Sequence, residues 1–184
     1  MSHLPRPDPP LADDAITMYV PTDDDLDAMV EACNDPEIPR WTTVPTPYTE
    51  ADGRDFLQLV ADDWDEGNAA TFTFRGHDAE RLDGMVSVSL VAEGIGVVGY
   101  WTAPWARGRG YATRALELIT AWSFDTLRLR RLDLATLPGN RGSERVAAKA
   151  GYTGGDLVPF GLEQRGMRRD VRLWSRAAGR ASAR

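Results

Sequence analysis

The chain has 184 residues, 42% of them hydrophobic and 27% charged, the balance of one globular domain and not of a disordered or collagen-like chain. No apolar run approaches the roughly 18 residues a membrane-spanning helix needs, and the net charge of −7 argues against nucleic acid as a partner. Cys33 is the only cysteine, so no internal disulfide forms, and no Cys/His cluster offers a metal site.

Residues 1–12 are rich in proline and without period, and read as a flexible arm before a domain spanning 13–176. They show no basic-then-apolar signal pattern, so a cytoplasmic location is expected. Residues 15–20 are β-prone. Aspartates at 23–25 supply cap chemistry, and Leu26, Met29, Val30 and Cys33 follow at helical spacing, which predicts a helix over 23–34. Prolines at 36, 39, 45 and 47 predict an irregular segment over 35–48. Thr49 and Asp52 resemble a capping box and open a helix over 50–66, which Gly67-Asn68 ends. Strands are expected at 71–74, 85–91 and 95–102. A helix at 110–126, a strand at 131–136 and a helix from Asn140 to near Gly151 follow. The last strand is expected at 170–174, with a partner around 156–163 and a flexible tail over 177–184. This order gives a single mixed α/β (α+β) domain.

The chemistry concentrates where a strand runs through a glycine-rich basic turn, Arg107-Gly108-Arg109-Gly110-Tyr111-Ala112, into a helix. A helix start offers unpaired N–H groups and the positive end of the helix dipole, and glycines let a ligand approach the backbone. The result is a cradle for phosphate. The P-loop needs Gly-Lys-Ser/Thr where Tyr111 and Ala112 stand, and the dinucleotide fingerprint needs a third glycine that is absent.

Arg107-x-x-Gly110-x-Ala112 matches the acyl-CoA signature of the GNAT N-acetyltransferase superfamily. Gly99-Tyr100-Trp101, Pro104, and Pro138-Gly139-Asn140-x-x-Ser143 with Gly151-Tyr152 resemble the branch of ribosomal-protein N-terminal acetyltransferases (RimJ/RimL type). Asn34-Asp35-Pro36, Trp41 and the helix from Thr49 resemble that branch's N-terminal half. The resemblance implies a central mixed sheet, flanked by helices, whose splayed strand over about 95–103 binds acyl-CoA. Trp101, Thr102 and Ala103 would then lie beside the thioester. Arg107, Gly108, Arg109, Gly110, Tyr111, Ala112 and Thr113 would hold the pyrophosphate, and Asn140 the pantetheine arm. Ser143 would hydrogen-bond or protonate the leaving thiolate, and Trp41 and Tyr48 would wall the acceptor site.

Two departures stand out. Ala147 occupies the place of the tyrosine acid used by many superfamily members. Val97 stands where relatives often carry a glutamate base, so no base is assigned, and Glu93, Asp133 and Glu163 remain open by composition. Residues 1–100 carry a balance of −16 and residues 101–184 one of +9. A basic half suits CoA phosphates and an acidic half suits an amine, although a surface biased by genome composition reads the same way. The reading is an N-acetyltransferase moving acetyl from acetyl-CoA, as cosubstrate and without metal, to a primary amine in a ternary complex. The alternatives are a non-catalytic acyl-CoA-binding module and an RNA-associated protein. Similar proteins commonly form homodimers, but no stretch of the sequence identifies an interface.

Overall fold

A computed structural model describes residues 3–179. Local signals set the helix ends. Helix α1 (Leu26–Cys33) follows a single 3-10 turn at Asp23–Asp25, whose Asp25 carboxylate accepts from the Thr22 N–H. Helix α3 (Glu50–Glu66) starts at a complete Thr49/Asp52 capping box and stops at Gly67, which takes the left-handed φ of 81°.

The segment 35–48 departs from expectation. It contains a short helix, α2 (Glu37–Trp41), despite Pro36 and Pro39. Both prolines fall in the first turn, where a backbone N–H has no helical partner to lose. The arm also departs from expectation over its described part. Leu4 is buried, its N–H donates to the Trp64 carbonyl, and β1 (Leu11–Ala12) pairs with β2 (Ile16–Tyr19). The buried leucine, that hydrogen bond and the β1–β2 pairing together hold a chain whose prolines reduce its freedom. Of the tail expected at 177–184, residues 180–184 lie outside the described residues, and Ala177 still pairs with Arg131.

The remaining elements are β3 (Ala69–Gly76), β4 (Gly84–Ala92), β5 (Ile95–Thr102), α4 (Tyr111–Asp125), β6 (Arg131–Thr136), α5 (Arg141–Lys149), β7 (Thr153–Gln164) and β8 (Met167–Ala177). They form one eight-stranded sheet ordered β1-β2-β3-β4-β5-β6-β8-β7. Every neighbouring pair is antiparallel except β5 with β6. The last hairpin is longer than the sequence pattern predicts. Its positions face solvent almost throughout, so hydrophobic alternation does not mark its ends.

One core joins α3 and α4 to the sheet face bearing Phe72, Phe74, Val86, Val88 and Val98. Trp64 meets Phe72 edge-on at 5.3 Å, and Phe72 meets Trp122 at 5.4 Å. A second cluster joins Ala28 and Met29 of α1 to Leu82 and Met85, with Trp101 and Trp105 against it. Adjacent residues of β5 thus face opposite ways, Tyr100 toward α4 and α5 and Trp101 toward α1.

Candidate active site

Strand β5 is where the sheet opens. It pairs with β4 along its whole length, from Ile95 to Thr102. It pairs with β6 only from Ile95 to Val98, while β6 continues to Thr136 alongside β8. The backbone of Gly99–Thr102 therefore presents unpaired groups toward a wedge between the two parallel strands. The chain leaves this edge through buried Ala103, whose N–H is held by the Asp83 carbonyl, and a single 3-10 turn at Pro104–Ala106.

The glycine turn follows at the mouth of the wedge. Gly108 and Gly110 have φ of 80° and 82°, and a Cβ added at either would find nothing within 4 Å. Gly110 caps α4, and its carbonyl accepts from the N–H groups of Thr113 and Arg114. Among the described residues, the N–H groups of 108–112 find no acceptor. The turn therefore leaves free donors and open space at the start of α4, chemistry that fits a pyrophosphate.

The side chains of the turn are committed differently. The Arg107 guanidinium donates to Asp35 Oδ1 at 2.6 Å and ties the signature turn to the segment before α2. That hydrogen bond holds the Asp35 carboxyl below its ordinary range. Arg109 is exposed, with its guanidinium 6.0 Å from the Tyr111 ring. Tyr111 packs against Gly76, where an added Cβ would lie 2.6 Å from its Oη. Tyr111 and Ala112 thus offer the cradle their backbone.

On the far side of the wedge, Asn140 caps α5. Its Oδ1 accepts from the Ser143 N–H at 3.1 Å, and among the described residues its Nδ2 has no acceptor. Ser143 meets a partner that sequence reasoning missed. Its Oγ lies 2.7 Å from Tyr100 Oη, and the Tyr100 hydroxyl also approaches the Ser143 carbonyl at 3.2 Å. Burial pushes the Tyr100 phenol up to about 12, with the Ser143 hydrogen bond acting the other way. The signal was present in the strand period, which sends residue 100 to the face opposite residue 101.

Beyond Trp101 lies an apolar cleft of about 350 Å³ between α1, α3 and the ends of β4 and β5. Met29, Tyr48, Phe56, Met85 and Trp101 line it, with Asp52 and Asp55 on the α3 side, the Asp52 carboxylate being held by the Thr49 N–H and hydroxyl. Tyr48 is 7% exposed, and the Asn34 side-chain amide holds its backbone N–H and carbonyl at 3.1 and 2.7 Å. Trp41 is not brought to this cleft. Its Nε1 donates to Glu37, and it lines a second cleft. Of the open candidates for a base, Asp133 accepts from Ser175 at 2.6 Å and Arg131 at 2.9 Å, while Glu93 and Glu163 are exposed. Burial pushes the Cys33 thiol up to about 12, away from thiolate chemistry.

Residues 16–153 match the acetyltransferase (GNAT) domain family. The chain belongs to this family. N-acetyltransferase p20 of Bacillus licheniformis is 23% identical over 83% of this chain and 86% of its own. RimJ of Mycobacterium smegmatis, solved with a CoA disulfide, superposes with a TM-score of 0.79 at 21% identity, covering 89% of this chain and 82% of that one. The microcin self-immunity acetyltransferase MccE, solved with acetyl-CoA and AMP, superposes with a TM-score of 0.81 at 18% identity over 90% and 94% of the two chains. As a member of the acetyltransferase (GNAT) family, this chain is a transferase. Among the described residues, no helix is long and apolar enough to cross a membrane.

Gln164, at the tip of the β7–β8 hairpin, is a second residue that sequence reasoning missed. It is 4% exposed, and its Nε2 reaches the carbonyls of Pro39, Arg40 and Thr42 at 3.3, 3.2 and 2.6 Å. Nothing in the local pattern marks it, because its partners lie more than 120 residues away. Gln164→Leu leaves the Arg40 and Thr42 carbonyls without this donor, while Pro39 keeps Arg165, and the loss costs about 1–3 kcal/mol. Chemical denaturation should show that loss, and acceptor KM should rise while acetyl-CoA KM holds. Equal denaturation midpoints for wild type and variant would contradict the clamp.

Proposed function

We propose that this enzyme transfers acetyl from acetyl-CoA to a primary amine, by direct attack in a ternary complex in the cytoplasm. The opening of β5 away from β6, ending beside the glycine cradle on one side and the Trp101 cleft on the other, carries the reading. Backbone groups of Trp101, Thr102 and Ala103 take the pantetheine and thioester. The N–H groups of 108–112, with positive charge from Arg109, take the pyrophosphate, the Thr113 N–H being bonded to the Gly110 carbonyl, and Asn140 Nδ2 adds a donor to the pantetheine arm.

The acceptor enters from the cleft bounded by Tyr48 and Trp101. Asp52 and Asp55 favour a cation there, and the apolar wall favours loss of its proton before attack. The amine nitrogen bonds to the thioester carbonyl carbon, the carbon–sulfur bond breaks, and the nitrogen sheds its proton to solvent. When the single Tyr100 proton goes to Ser143 Oγ at 2.7 Å and not to the Ser143 carbonyl at 3.2 Å, the serine proton is free to face the departing sulfur.

The acceptor classes are a protein N-terminus, an amino acid, a polyamine or an amine-bearing antibiotic. Incubation with acetyl-CoA and representatives of each, read by intact mass, should show one added acetyl group on at least one class. CoA binding with no transfer to any class would support the non-catalytic module instead.

A further inference from the structure

The second cleft, of about 640 Å³, is lined by Arg40, Trp41, Pro138, Gln164, Arg165 and Arg169 among others, and among the described residues no carboxylate lines it. Arg40 is committed, with Glu37 at 3.1 Å and the Trp41 ring at 4.7 Å. Arg165 and Arg169 are not. Among the described residues, neither forms an ion pair. Arg165 donates through Nη2 to Pro39, Val44 and Thr46, and Arg169 donates through Nη1 to Gln164 Oε1 at 3.3 Å. A guanidinium has five N–H donors, so both keep most of theirs.

Both are also positioned. The buried Gln164 amide is fixed by the α2 carbonyls, so its oxygen points back at Arg169. Arg165 and Arg169 are exposed and line the same cleft beside Arg40, so an oxyanion entering it meets positive charge.

The location gives the cleft its meaning. Its walls attach to the ends of both strands that bound the wedge. Helix α2 supplies one wall, and its Ile38 packs with Ala103 at the end of β5. Pro138 supplies another, two residues beyond β6. The pyrophosphate cradle is not part of its lining, and Arg107 is turned to Asp35. Thr43, Val44 and Pro45 line the apolar cleft beside Trp101, and the next residue, Thr46, lines this cationic one.

We propose that the Arg165/Arg169 cleft is an anion subsite of the acceptor, which takes a carboxylate or phosphate group carried on the same molecule as the reacting amine. The proposal rests on the amine-transfer reading. Its shared chemistry is a planar or tetrahedral oxyanion met by guanidinium forks.

Matched amines carrying a carboxylate, a phosphate or a neutral amide separate the cases. Wild type should prefer one of the anionic amines by at least tenfold in kcat/KM over the neutral one. Arg169→Met should lower that preference at least tenfold, and Arg169→Lys should restore part of it. Which anionic amine wins distinguishes carboxylate from phosphate. Equal kcat/KM for all three amines in wild type overturns the subsite.

A second measurement does not need turnover. Inorganic phosphate is titrated into the CoA-saturated protein by NMR, with the cradle already filled. Saturable binding that Arg169→Met loses supports the subsite, and equal behaviour of wild type and variant overturns it. Absence of transfer to every amine would sink the transfer reading while the phosphate titration still decides the subsite.

Discussion

Replacing Gly110 by Trp removes the stabilisation that acetyl-CoA confers, and the variant stays folded. The site itself makes the two effects separable. Gly110 lies at φ 82°, so any side chain costs about 1–2 kcal/mol of backbone strain. That is a fraction of the 5–15 kcal/mol typical of a folded domain. The Cβ of the new side chain meets nothing within 4 Å, and the turn it leaves from is exposed. The indole is placed to fill the space over the N–H groups of 108–112, the proposed pyrophosphate site. Each charge-assisted hydrogen bond lost there is worth about 1.5–3 kcal/mol. Losing two lowers affinity by more than 100-fold, at about 1.4 kcal/mol per factor of ten.

Wild type at a hundred times its dissociation constant should gain about 2.7 kcal/mol, which appears as a rise in melting temperature. The variant should melt a few degrees lower without ligand and show no rise with it. A variant that still rises as wild type does would place the pyrophosphate elsewhere and empty the cradle of its role.

The signature turn, its helix, Asn140 and Ser143 could be placed from the sequence because their chemistry is local. A helix start, two glycines and a cap residue carry their geometry within a few positions. The capping box at Thr49 and the strands from β3 to β6 were legible for the same reason. What was not legible is what distant segments do to one another. Arg107 reads as cradle charge until Asp35, 72 residues away, is seen to take it. Trp41 and Tyr48 are close in sequence, yet α2 turns one away from the other into separate clefts. The helix itself was hidden by Pro36 and Pro39, whose first-turn placement only the fold reveals. Gln164 and its three carbonyls are invisible to any local rule. Tyr100 lies between these cases, since the strand period predicts its face but not the serine it meets there.

That serine–tyrosine pair supports the second large effect. Ser143→Ala and Tyr100→Phe should each lower kcat by about 10- to 100-fold, with acetyl-CoA affinity nearly unchanged, and the double variant should be little worse than either. The two hydroxyls are 2.7 Å apart, and only one donor is needed at the sulfur. If Tyr100 orients the Ser143 proton, removing either breaks the same device, which is why the losses do not add. Tyr100→Phe keeps the ring in its packing and loses about 1 kcal/mol of hydrogen bonding, so it should fold.

The pH profile carries a further sign. Burial raises the Tyr100 phenol to about 12, above the ordinary 10.0, so its proton is retained across the assay range. The rate should therefore climb as the acceptor amine deprotonates, near 8 for an α-amine and near 10.4 for a lysine. For an α-amine it should then stay level to about pH 10. The Phe variant should keep that shape at a lower plateau. A fall between pH 8 and 9 would assign the proton to a more acidic group than this pair. An undiminished Ser143→Ala enzyme would mean that sulfur departs without help from α5, leaving Asn140 and the cradle to bind CoA while the chemistry runs elsewhere in the wedge.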